Sequence, residues 1–159
     1  MQIQAIDRPS LPGAEAVARL VNVVTGTMFG VHFRVAGPTD VGRTEIFRAA
    51  ELLLGGDRPL RVAVGADEQS CRALAVAFFG CAPAAADDSM IDDALRELAN
   101  MAAGQIKSAV APDEELTVPR IVAAGCFVRV EEGSEARDVV LHAREMALFL
   151  CITRKPKRK

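Results

Sequence analysis

A chain of 159 residues, half of them hydrophobic and a quarter charged, is long enough to bury one real core and ordinary enough in make-up for a soluble globule. With a net charge of −2, no Trp, no Tyr and seven Phe, it has neither the field to attract polyanions nor much to stack on bases, so nucleic acid is not an expected partner. No apolar run approaches the ~18 residues of a membrane span, and no basic stretch followed by an apolar one opens the chain.

Cys71, Cys81, Cys126 and Cys151 form no C-x2-C pair and do not cluster with His32 and His142, which argues against a zinc site. Reduced thiols in the cytoplasm are the default. The expectation is one domain over residues 1–153, without membrane contact, followed by a basic tail at 154–159.

In chain order, residues 1–6 alternate like a short edge strand, and the Pro and Gly of 8–13 mark a loop. Residues 14–30 read as a helix with Val17, Leu20, Val21, Val24 and Met28 on one face. The stretch 31–35 suits either a strand or a helix end, and 37–42 is a turn. Strands are expected at 44–54 and 61–64 around a hairpin loop at 55–59, although 49–54 also suits a helix. Asp67 is placed to cap a helix over 68–79, which Gly80 ends. An Ala/Pro/Asp loop covers 81–88.

The most informative stretch follows. Ser89 with Asp92 three positions on has the form of a capping box, and Pro112 sets the far limit of the helix. At about 100° per residue, Ile91, Leu95, Leu98, Ala102, Ile106 and Ala109 make one apolar stripe. Asp93, Glu97, Asn100, Gly104 and Lys107 make a second stripe on roughly the opposite side, facing solvent or a partner. Asn is a mediocre helix former, and an interior Gly costs about 1 kcal/mol relative to Ala. Glycine also lets another backbone come close. The stripe therefore reads as a docking surface; the plain alternative is a solvated face that tolerates an Asn and a Gly.

Strands are expected at 116–123, 126–131, 137–143 and 146–153, with a turn at 131–136. The tail at 154–159 reads as a flexible, solubilising end, with steering to an acidic partner or to nucleic acid as the other reading. Asp87, Asp88, Asp92 and Asp93 suit helix capping and a solvated loop better than a metal cluster. Long helices mixed with runs of strands indicate an α+β fold: two layers, a largely antiparallel sheet with helices on one face.

The first helix shares its pattern with the one that carries Asp93 to Lys107. Shifted by 78 positions, Val17, Leu20, Val24, Met28 and Val31 fall on Leu95, Leu98, Ala102, Ile106 and Ala109. Asn22 falls on Asn100, Gly26 on Gly104 and Glu15 on Asp93, while Arg19 stands where Glu97 should be. The offset is about half the chain, so a duplicated unit is expected, with an internal pseudo-repeat in the fold.

Asp-x3-Glu-x2-Asn followed by x3-Gly, here Asp93, Glu97, Asn100 and Gly104, resembles the signature of the CheC/CheX/FliY phosphatases, which act on phosphorylated response regulators. The surroundings of Glu97 through Lys107 look most like CheX, and Pro119 in Leu-Thr-Val-Pro looks like that family's strand-opening proline. One active helix out of two related ones also resembles CheX more than CheC.

The resemblance implies a phosphatase for the aspartyl phosphate of a CheY-like receiver, or else an inactive scaffold of the same fold. It implies that Glu97 pairs with the receiver's lysine and that Asn100 positions the attacking water. No cofactor of its own is implied, because the receiver brings the Mg²⁺, and a homodimer is implied. Asp93, Gly104 and Lys107 are left as docking candidates. The chemistry suits the residues: phosphoryl transfer needs an in-line water and neutralised charge, and a carboxamide can both donate to and accept from a water without titrating.

Overall fold

The computed structural model describes residues 10–36, 45–127 and 131–156, with no account of the Cys126 side chain. The expected edge strand at 1–6 and turn at 37–42 lie outside these residues.

Helix α1 runs Ala14–Phe29 and stops at Gly30, whose φ of 66° is the left-handed conformation that glycine takes without penalty. The Val31 N–H reaches back to the Thr25 carbonyl at 3.2 Å, closing the helix end. Its buried stripe is Val17, Ala18, Val21, Val24 and Thr25. Thr25 satisfies its buried hydroxyl on the Val21 carbonyl, and Met28, expected in the core, is left 58% exposed.

After the two-residue strand β1, Arg34–Val35, come β2, Arg48–Leu54, and β3, Leu60–Ala66, paired as the expected hairpin. The 49–54 ambiguity resolves as strand, because Ala50, Leu52 and Leu54 enter the main core while Ala49 lies in a separate cluster on the sheet's other face. Helix α2, Glu68–Phe79, has both expected ends: Asp67 accepts from the Ser70 N–H, and Gly80 is left-handed.

Helix α3, Asp88–Val110, starts one residue before Ser89. Asp87 is the cap, accepting from the Met90 N–H at 2.9 Å. Asp92, expected in the capping box, instead accepts from Arg48 at 2.7 Å, and the same guanidinium lies 3.1 Å from Asp88. Ile91, Leu95, Leu98, Ala102 and Ile106 are buried as expected, but Ala109 is exposed and the last apolar contact passes to Val110. Ala94, Ala99 and Ala103 are buried too. These small side chains widen the apolar face where α3 packs against α1, α2 and the sheet.

The segment after α3 departs from the expected long strand. Leu116 makes one bridge to Leu54, and regular pairing resumes only in β4, Arg120–Val122. Pro119 interrupts the ladder because it has no N–H to give. The strand expected from 126 is absent at its start. Ala124–Phe127 is a helical turn, α4, which lays Phe127 on the sheet's outer face beside Ala49, Ala63 and Cys151; residues 128–130 lie outside those described. Strands β5, Glu135–Ala143, and β6, Met146–Arg154, form the last hairpin. Arg154, assigned to the tail, belongs to β6 and is buried.

Among the described residues six strands form one antiparallel sheet in the order β1-β5-β6-β3-β2-β4. Exchanging β1 with β4, β2 with β5 and β3 with β6 gives the same order read from the opposite edge. The duplication read from the two helices is therefore also written in the sheet: α1 lies over β5 and β1 as α3 lies over β2 and β4. The fold is α+β, an open sheet with the long helices against one face.

Candidate functional site

The outward face of α3 and the segment before β4 enclose a groove of about 290 Å³, lined by Asp93, Arg96, Glu97, Asn100, Val118 and Pro119. α3 supplies four of these at i+3 and i+4 spacing, because its other side is held in the core by Leu95, Leu98 and Ala102. Among the described residues, neither the Glu97 carboxylate nor the Asn100 carboxamide has a hydrogen-bond partner. Glu97 is exposed and Asn100 half-buried.

The other predicted site residues divide. Asp93 lines the groove and accepts from Arg96 at 2.8 Å, an exposed pair three residues apart that holds weakly. Gly104 is outside the groove lining, and a Cβ built on it would meet nothing within 4 Å. Lys107 is engaged by its own chain, donating to the Pro112 carbonyl at 2.6 Å. This bond ties the side chain to the segment just past the end of α3, and Lys107 is outside the groove lining.

The wall opposite α3 is anchored on both sides. Thr117 exchanges two hydrogen bonds with the Leu53 backbone, each 2.9 Å, through its N–H and its hydroxyl oxygen. Arg120 donates to Glu51 at 2.6 and 3.0 Å, and Arg61 donates to the other Glu51 oxygen. Burial alone would raise the Glu51 carboxyl, but the hydrogen bonds and charges of Arg61 and Arg120 outweigh it and hold the group below the usual carboxylate range.

The matching face of α1 is closed. The Asn22 carboxamide donates to the Phe33 carbonyl at 2.7 Å and accepts from the Phe33 N–H at 2.6 Å. The His32 ring covers Gly26, where a Cβ would stand 2.7 Å from it. In the second half the residue directly before the edge strand is Pro119, which lacks the N–H that such a clamp requires.

Sequence reasoning missed Arg96 and Val118 as parts of the groove. Arg96 had a readable signal, an acid three residues earlier; Val118 had none in the local pattern. Among the described residues no three His, Cys, Asp or Glu side chains gather as a metal site, and no helix is long and apolar enough to cross a membrane.

The family described as chemotaxis phosphatase CheX matches residues 50–142. Among solved structures, the chemotaxis protein CheX from Vibrio vulnificus has a TM-score of 0.71 at 17% identity, covering 87% of this chain and 93% of that one. A chain of the CheX–CheY–BeF3–Mg²⁺ complex from Borrelia burgdorferi has a TM-score of 0.70 at 15% identity, covering 92% of this chain and 99% of that one. A CheC-like superfamily protein from Shewanella follows at 0.63 and 13% identity, covering 88% and 95%. No curated protein matches the chain in sequence.

Proposed function

Because this chain belongs to the CheX family of chemotaxis phosphatases, we propose that it removes the phosphoryl group from the aspartyl phosphate of a CheY-like receiver domain, with Asn100 and Glu97 as the working residues. The observation that carries this reading is the contrast between the two related amides. Asn22 is closed on the Phe33 backbone, whereas Asn100 lies in an open groove beside the Glu97 carboxylate, which has no hydrogen-bond partner among the described residues.

In this reading α3 lies across the receiver's phosphorylation site. The Asn100 carboxamide accepts from and donates to one water and holds it in line with the scissile P–O bond. Water adds to phosphorus, the receiver's carboxylate leaves, and inorganic phosphate departs. An acyl phosphate is already reactive, so positioning supplies most of the gain. Glu97 would repel the phosphoryl oxygens, and its role is to pair with the receiver's lysine. The receiver brings the Mg²⁺ that neutralises the phosphoryl charge; the Borrelia burgdorferi neighbour is a complex with CheY, BeF3 and Mg²⁺. Asp93 shapes the rim through Arg96, and Gly104 leaves room for a close approach. A homodimer is part of the proposal, to be read by sedimentation equilibrium.

The test follows phosphate loss from a panel of phosphorylated receivers with and without the protein. Acceleration by the wild type, reduced in Glu97→Ala, is the expected result. No acceleration of any receiver overturns the reading. The alternative, a binding module without turnover, is favoured by one observation: α1 keeps the same helix and sheet packing with its amide closed, so the fold does not depend on an open site. Receiver binding without faster hydrolysis would select it.

A further inference from the structure

Val118 is 85% exposed, the most exposed of the large hydrophobic side chains among the described residues. Exposed apolar residues are common and mean little singly. Val118 differs in how it is held. Thr117 on one side is fastened to Leu53 by two hydrogen bonds. On the other side Pro119 has a fixed φ, and Arg120 is tied to the buried Glu51, which Arg61 also holds. The exposure therefore belongs to a braced segment. At the other edge of the sheet Phe33 directly precedes β1 as Pro119 directly precedes β4, so the position that matches Val118 is His32, whose ring covers Gly26. The first half lays that side chain on its own helix where the second half holds it out, with open space over Gly104.

We propose that Val118 is an apolar docking knob that seats the receiver domain over Asn100; this rests on the phosphatase reading above. The occupant follows from the surroundings. The groove is about 290 Å³, and its other wall carries Asp93, Arg96 and Glu97. One aliphatic side chain facing three charged ones suits the rim of a folded domain that offers a small apolar spot among polar groups. A lipid surface needs several apolar side chains together with a basic face. A peptide helix needs a longer run of apolar anchors.

The experiment measures dephosphorylation of a phosphorylated receiver and, separately, binding of the beryllofluoride-loaded receiver. It compares wild type, Val118→Ser, Val118→Asp and Val23→Asp, the last altering an exposed valine on α1 (56% exposed). The proposal expects Val118→Asp to raise KM and Kd about tenfold or more, with Val118→Ser intermediate, kcat within about twofold, and Val23→Asp like the wild type. Acceleration by wild type with KM and Kd unchanged in both Val118 variants overturns the knob and leaves the phosphatase reading standing. Wild-type binding without acceleration removes the phosphatase reading; the knob then stands if the Val118 variants bind more weakly and falls if they do not. Failure of the wild type to bind any receiver in the panel overturns both.

Discussion

The Asn22 carboxamide and the Phe33 peptide form a closed pair: Asn22 Nδ2 donates to the Phe33 carbonyl at 2.7 Å, and Phe33 N–H donates to Asn22 Oδ1 at 2.6 Å. This contact ties α1 to the start of the edge strand β1. It also occupies both polar functions of the amide that corresponds to Asn100. Asn22→Ala would leave the N–H and the carbonyl of the buried Phe33 without this partner. The expected cost is about 1–3 kcal/mol of stability, read by urea denaturation, with receiver dephosphorylation unchanged at temperatures where the variant is folded. Loss of turnover in a folded Asn22→Ala protein would show that the first half contributes to the site.

Gly104 has open space where a Cβ would be, so nothing in its own chain demands glycine there. Gly104→Ala is expected to stabilise the protein by about 0.5–1 kcal/mol through helix propensity alone. It is expected at the same time to weaken receiver docking, seen as a raised KM. A more stable variant with unchanged KM would remove Gly104 from the docking face.

Glu51 joins three strands: it sits in β2, pairs with Arg61 of β3 and with Arg120 of β4. Its carboxyl is held below its ordinary value by the two guanidiniums against the opposing effect of burial. An unfolded chain therefore binds this proton more readily than the folded one. The contribution is fully present above the ordinary carboxylate value of 4.5 and is lost as pH falls from there through the lower folded value. Denaturation midpoints measured between neutral and acid pH should fall less steeply in Glu51→Gln than in wild type. That variant should already be destabilised at neutral pH by about 3 kcal/mol, because it removes the buried carboxylate charge that Arg61 and Arg120 both hold.

Cys71 and Cys151 are both buried, and burial pushes each thiol up to about 12. Thiolate is the reactive form. In the native protein a thiol reagent at neutral pH should therefore modify the partly exposed Cys81 well before Cys71 or Cys151. Mass spectrometry of the partly labelled protein reads the order. Early labelling of Cys71 would mean that α2 opens far more readily than its packing implies.

Elements with local signals were legible in the sequence. Asp67 and Gly80 delimit α2 because a cap and a left-handed stop are decided by a few neighbouring residues. The two stripes of α3 followed from periodicity, and the repeat between α1 and α3 anticipated a sheet order that exchanging its halves gives back from the opposite edge. What was missed depends on distant contacts. The start of α3 moved because Arg48, on another strand, takes Asp92. The wall of the groove is set by Thr117 on Leu53, 64 positions apart, and Phe127 is drawn into a helical turn by the sheet's outer face. The clamp on Asn22 likewise depends on a strand start that no periodicity announces. Arg19 in place of an acid marked the first copy as different, but the physical closure of its amide was visible only in three dimensions.

The central claim is that the Asn100 carboxamide holds the water that attacks the receiver's aspartyl phosphate. Its most direct test is single-turnover dephosphorylation of a receiver at saturating Asn100→Ala protein, with binding to the beryllofluoride-loaded receiver and thermal unfolding measured on the same preparation. The account predicts a fall of about a hundredfold in the chemical step, with binding and folding close to wild type. A rate equal to wild type at saturation would contradict it.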